Sequence, residues 1–103
     1  DANAYGMGMG GTAWTNNVAS SGLSTYAAND IVGVAVDFTA STGSVTFYKN
    51  NVSNKVYGSL TLGTMFPMVG MRANTVSAQA KGVLRLRAAD QTYAPPAGYS
   101  AWS

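Results

Sequence analysis

The sequence predicts an all-β fold, a sandwich or a barrel of antiparallel strands, on three observations. Ile31 to Phe38 alternates Val32, Val34, Val36 and Phe38 with Gly33, Ala35 and Asp37. Strand side chains point to opposite faces at a period of two, so this pattern suits a strand packed on a core. Gly43 to Asn50 repeats the device, with Val45 and Phe47 set against Thr46 and Tyr48. Short stretches of this kind recur about every 8–12 residues, and no helical period competes with them.

The elements follow in order. Tyr5, Met7 and Met9 alternate with Gly6, Gly8 and Gly10, a short strand whose second face carries no side chains and lets another surface come close. Thr12 to Asn29 reads as a polar connection with a turn at Thr15 to Asn17, and Trp14 in it is expected to be partly buried. The two strong strands are joined by Thr39 to Gly43, where the glycine is expected to take a positive φ. Asn50-Asn51 makes a second turn, since Asn tolerates the left-handed conformation. Lys55 to Leu62 is a further strand, with Val56, Gly58, Leu60 and Leu62 on one side. Met65 to Met71 is an apolar run whose Pro67 belongs at a sheet edge or a strand start. Ala73 to Lys81 reads as a loop or a short helical turn, and Gly82 to Arg87 as another strand. Pro95-Pro96 extends the tail, and Tyr93, Tyr99 and Trp102 can dock back onto the sheet.

Composition narrows the function. The chain has 103 residues, room for one domain, 1–103. Six basic residues stand against four acidic ones, for a net charge of +2. Only Arg85 and Arg87 are close together, which is not the basic footprint of a nucleic-acid binder. No cysteine and no histidine occur. The thiolate nucleophile, the disulfide framework and the commonest general base and metal ligand are therefore all missing. No apolar run approaches a membrane span.

Several blocks together carry a family resemblance. They are Asn29 to Asp37, Ser44 to Asn51, Met65-Phe-Pro-Met-Val-Gly70 and Tyr93-Ala-Pro-Pro-Ala-Gly-Tyr-Ser-Ala-Trp102. They resemble the SPRY family, and in particular its bacteriophage branch, in scattered blocks from Asp1 to Trp102. The resemblance implies a bent, antiparallel two-sheet β-sandwich of the concanavalin A-like, jelly-roll kind. Family members carry strands before the block that opens this chain, so the resemblance implies the C-terminal portion of such a domain. The expectation is that a longer polypeptide or another chain completes the sandwich and covers its open edge. Ser77 to Arg87 departs from the phage pattern, which places a shorter strand before the tail.

Chemistry finds little support. Asp30 and Asp37 stand at opposite ends of one strand, about 20 Å apart at the usual rise per residue. A glycosidase needs its two carboxyls about 5–10 Å apart. Both aspartates read instead as turn caps, while a pairing of Asp37 with Asp90 or of Asp1 with Asp30 depends on the fold. A serine nucleophile lacks a histidine base, and the alternating glycines lack the context of a dinucleotide loop or a P-loop. The Asn-rich turn at 50–54 has oxygen donors, but turn chemistry explains it without calcium. The chain is thus expected to be no enzyme and to use no cofactor and no metal.

Binding remains. The residues that suit contact are Tyr5, Trp14, Asn16, Asn17, Tyr26 and Arg72, with Tyr48 and Tyr57 serving either contact or the sheet surface. Aromatic rings cover sugar faces and amides bond hydroxyls. The expected role is a non-enzymatic module of a phage virion, in a tail fibre, spike or decoration protein, touching other virion proteins or a host-surface glycan or protein. Homo-oligomerisation is expected, as a trimer if it forms a fibre tip, without nucleic acid and without membrane insertion. The alternatives are a ligand-free assembly subunit using Met65 to Met71 as its interface, or a carbohydrate-active enzyme on a lectin-like fold.

Overall fold

Two three-stranded antiparallel sheets make up the fold in a computed structural model, which describes residues 4–16, 18–39, 41–69 and 82–102. The first sheet contains β1 (Tyr5–Met7), β2 (Ala13–Thr15) and β3 (Val18–Ser20), and the second contains β4 (Val32–Asp37), β5 (Gly43–Lys49) and β6 (Val52–Leu60). Each sheet is a meander in chain order. The expected all-β, antiparallel architecture is thus the observed one.

The strong hairpin lies where the alternation placed it. Val36 pairs with Val45 and Val34 with Phe47, with Asp37 opposite Ser44 at the turn end. Asn50 and Asn51 turn the chain into β6 with φ of 47° and 68°, a conformation that amide side chains tolerate better than most. The first turn differs from expectation. Its positive φ falls on Ser41, at 61°, while Gly43 serves close approach. A Cβ there would lie 2.8 Å from the Asp37 carbonyl oxygen and 3.0 Å from that of Leu60, so the position admits no side chain.

Ala13, Val45, Phe47 and Tyr57 form the core, flanked by Tyr5, Met7, Leu23, Val36, Leu60, Leu62 and Met65. Tyr57 stands edge-on to Phe47 at 6.2 Å and tilted against Tyr5 at 5.3 Å. Such aromatic pairs add about 0.5–1.5 kcal/mol each beyond burial. The ring of Tyr57 therefore joins the sheets, with Phe47 beside it in the second and Tyr5 across from it in the first.

Two irregularities in the β5–β6 ladder explain why β6 departs from simple alternation. The register slips between Gly43 and Val45, and again between Phe47 and Tyr48. Near the first slip, Ser59 takes a φ of 55°, and Tyr57 and Leu60 both reach the core despite their odd separation. Val56, expected on the same side as Leu60, is exposed. At the second slip Asn54 is the extra residue. A bulge re-aims a side chain, and here the Asn54 amide bonds both the N–H and the carbonyl of Ser24 at 3.0 and 3.1 Å.

Four further expectations are corrected. Thr12 to Asn29 is no simple connection, because it contains β2 and β3. These are three-residue strands whose polar and small residues hide the period but pair Trp14 with both Gly6 and Ala19. Of the row Val32, Val34, Val36 and Phe38, only Val36 packs on the core. Val34 and Phe38 are 46% and 51% exposed, while Ala35 on the opposite side is buried. β4 is an outer strand of its sheet, with a neighbouring strand on one side alone. Gly82 to Arg87 forms no strand. Arg85 and Arg87 instead hold a 3₁₀ turn at Ala88–Asp90, through the Asp90 carbonyl and carboxylate at 3.2 and 2.9 Å. No strand covers Met65 to Val69 either. Pro67 removes a donor, and Phe66 and Met68 project into solvent. The expected loop or helical turn at 73–81 lies outside the described residues.

Candidate functional site

Trp14 sits in the centre of β2, on the face of the first sheet opposite the core. Its neighbours in register there are Gly6 and Ala19, so no bulky side chain stands opposite it on either neighbouring strand. The side chain runs along the glycine face of β1. A Cβ at Gly6 would lie 3.9 Å from the Trp14 Cβ, and one at Gly8 would lie 3.8 Å from its indole Nε1. The alternating glycines thus leave a shelf on which the indole rests, with 47% of the residue open to solvent. The surface expected to approach the glycine face is the chain's own tryptophan.

The shelf is held from beneath. The Tyr57 hydroxyl crosses from β6 and lies 3.0 Å from the Trp14 carbonyl oxygen and 3.2 Å from that of Gly6. It shares one proton between adjacent strands of the first sheet, on the side away from the indole. Asn16 extends the β1–β2 ladder: its N–H donates to the Ala4 carbonyl at 2.8 Å and its Oδ1 accepts the Ala4 N–H at 2.9 Å. Its Nδ2 has no partner among the described residues, leaving an amide donor on an exposed turn two positions from the indole.

The remaining contact residues separate. Tyr5 faces the core side of β1, against Tyr57. The half-buried Tyr26 donates its hydroxyl to the Met7 carbonyl at 3.2 Å, a role in fixing the loop beside β1. Tyr48 is half-buried beside Gly33, whose Cβ position is 3.5 Å from the Tyr48 Cβ. Tyr57 is buried. Asn17 and Arg72 lie outside the described residues. The geometry therefore leaves Trp14 and Asn16 exposed two positions apart, at β2 and its turn, and sends Tyr5 and Tyr26 elsewhere. Met9 and Val18, 58% and 70% exposed, also stand open on the first sheet and its adjoining loop. Sequence reasoning placed Met9 in the glycine alternation without assigning it to contact, and passed over Val18 because a lone apolar residue in a three-residue strand carries no period.

The aspartates cap turns. Asp37 Oδ1 accepts both the hydroxyl and the N–H of Thr39, at 2.6 and 2.9 Å, and these bonds hold its carboxyl below the usual carboxylate range. Asp30 is lowered by the amide of Asn50, then by the Ala27 N–H and weakly by Lys49. The bonds from Asn50 and Ala27 are both 2.8 Å. Among the described residues, no group of three or more His, Cys, Asp or Glu is placed to hold a metal ion. No helix among them is long and apolar enough to cross a membrane.

No curated protein and no solved structure matches the chain. The family model described as the SPRY domain matches residues 1–82. That match spans both sheets and ends before the proline-bearing tail, which the sequence resemblance had included. With the two antiparallel sheets and four-fifths of its length inside the match, the chain belongs to the SPRY family.

Proposed function

We propose that the chain is a non-enzymatic binding module of a bacteriophage virion, in a tail fibre, spike or decoration protein, and that it contacts a host-surface glycan through Trp14 and Asn16. SPRY domains are generally protein-interaction modules, and the blocks from Asn29 to Asn51 resemble the phage branch of the family. In this reading the strands are the C-terminal part of such a domain, and the particle holds several copies among other virion proteins. The observation that carries the reading is the half-exposed indole laid along a glycine shelf and backed by Tyr57. A rigid aromatic surface with a free amide nearby covers a sugar face and donates to a hydroxyl.

A glycan array probed with the protein and with Trp14→Ala tests this. Binding to defined glycans that disappears in the variant supports the reading, and array binding indifferent to Trp14 counts against it. One observation favours a second reading, a purely structural assembly subunit. Phe66 and Met68 are 83% and 89% exposed, in a short apolar run suited to burial between copies. Loss of particle assembly in Phe66→Ser, with host attachment intact, supports that alternative.

A further inference from the structure

β4 is an outer strand of the second sheet, and a cleft of about 640 Å³ separates it from the tail. One wall is Val34 to Phe38, and the other includes Pro95, Pro96, Tyr99 and Trp102. The volume falls within the range of about 300–1,000 Å³ usual for ligand clefts. Among the described residues no hydrogen bond joins the tail to β4. The proline nitrogens at 95 and 96 have no proton to donate. The tail thus flanks the strand without completing its ladder, and among the described residues the outward N–H and C=O groups of β4 have no main-chain partner.

We infer that this cleft binds an extended peptide segment of another protein, which adds antiparallel to β4 and places a basic side chain opposite Asp37. Strand addition draws affinity from main-chain bonds and selectivity from alternate side chains. Charge supplies the selectivity here. Asp37 is the one charged residue among those lining the cleft. Both Thr39 bonds fall on its Oδ1, which leaves Oδ2 for a cation. Asp37 ends the strand, so an antiparallel partner begins there with lysine or arginine. It continues with apolar residues opposite Val36 and Val34 and small polar ones opposite Ala35 and Gly33. This site is distinct from the Trp14 shelf on the other sheet, so peptide binding and glycan binding fail separately.

The probe is the peptide acetyl-Lys-Val-Thr-Val-Thr-Val-amide, titrated into the chain while amide exchange is followed at Val32 to Asp37. Slowed exchange along β4 and saturable binding are expected. The same peptide beginning with Glu is expected to bind about three- to tenfold more weakly, from the loss of an opposite-charge cross-strand pair and the gain of a like-charge one. Asp37→Asn, which keeps an Oδ1 acceptor for Thr39, is expected to erase that discrimination. A peptide N-methylated at alternate residues is expected not to bind. Equal binding of the Lys and Glu peptides overturns the inference. So does exchange already slowed without peptide at the β4 amides that point away from β5, whether by the tail or by a concentration-dependent second copy.

Discussion

The Tyr57 hydroxyl lies 3.0 Å from the carbonyl oxygen of Trp14, so a core side chain of one sheet fixes the backbone of the most prominent aromatic on the other. Core and candidate contact surface are therefore one construction. The ring of Tyr57 packs between Tyr5 and Phe47 while its tip restrains β1 and β2.

Tyr57→Phe keeps the ring and removes only that tip. The loss is expected to be about 1 kcal/mol, the usual net worth of one intramolecular hydrogen bond. Urea unfolding measures it. Amide exchange should speed up most in β1 and β2, and a variant as stable as the parent would show that the inter-sheet bond carries no weight.

Gly43→Ala is expected to destabilise by about 2 kcal/mol, the middle of the range for overpacking a tight site. The added methyl meets carbonyl oxygens of Asp37, Thr39 and Leu60 at 2.8–3.1 Å, and backbone oxygens do not rotate away. Ser41→Gly, at the position that does hold a positive φ, is expected to be tolerated within a few tenths of a kcal/mol.

Much of the second sheet was legible because its signals are local and redundant. Val45 and Phe47 keep strict alternation over a buried strand, and Asn50-Asn51 carries its own turn chemistry. The two caps at Asp30 and Asp37 followed from residue type and position. The first sheet was half legible: β1 shows its period through glycines, but β2 and β3 are three residues each and borrow stability from cross-strand partners. Val83 to Arg87 misled because its alternation is that of a strand while its hydrogen bonds go to a local turn. Of the residues read as suited to contact, Trp14 and Asn16 are the ones found exposed on the first sheet and its turn. Which face a tyrosine takes depends on register, and register placed Tyr5 inside.

Acid should loosen the second sheet. Asp30 and Asp37 both have their carboxyls lowered by hydrogen bonds made in the folded state. A depressed folded value means stability that is present above the ordinary carboxylate range and lost as pH falls through the folded values. Because the chain has no histidine, stability is expected to be flat from about pH 5 to 8 and to decline below about pH 4. Thermal melts across this range check it. The double variant Asp30→Asn, Asp37→Asn should show a shallower decline, and an unchanged slope would remove the caps from the explanation.

Asn54→Ala deletes the side chain that satisfies both the N–H and the carbonyl of Ser24. Both groups are solvent-accessible, so the cost to global stability is expected to stay near 1 kcal/mol. Faster amide exchange at Ser24, with β5 unchanged, is the specific signature. Uniform acceleration throughout the molecule would mean that the bulge does more than tether this loop.

The contact role of Trp14 is tested most directly by adsorption to host cells, comparing the protein with Trp14→Ala at matched folded fraction. The main-chain carbonyl that accepts the Tyr57 bond survives in the variant, and the indole is half exposed, so melting should change little. The expected result is at least tenfold weaker adsorption with an unaltered fold. Undiminished adsorption by a folded Trp14→Ala protein would contradict the assignment of this shelf as the contact surface.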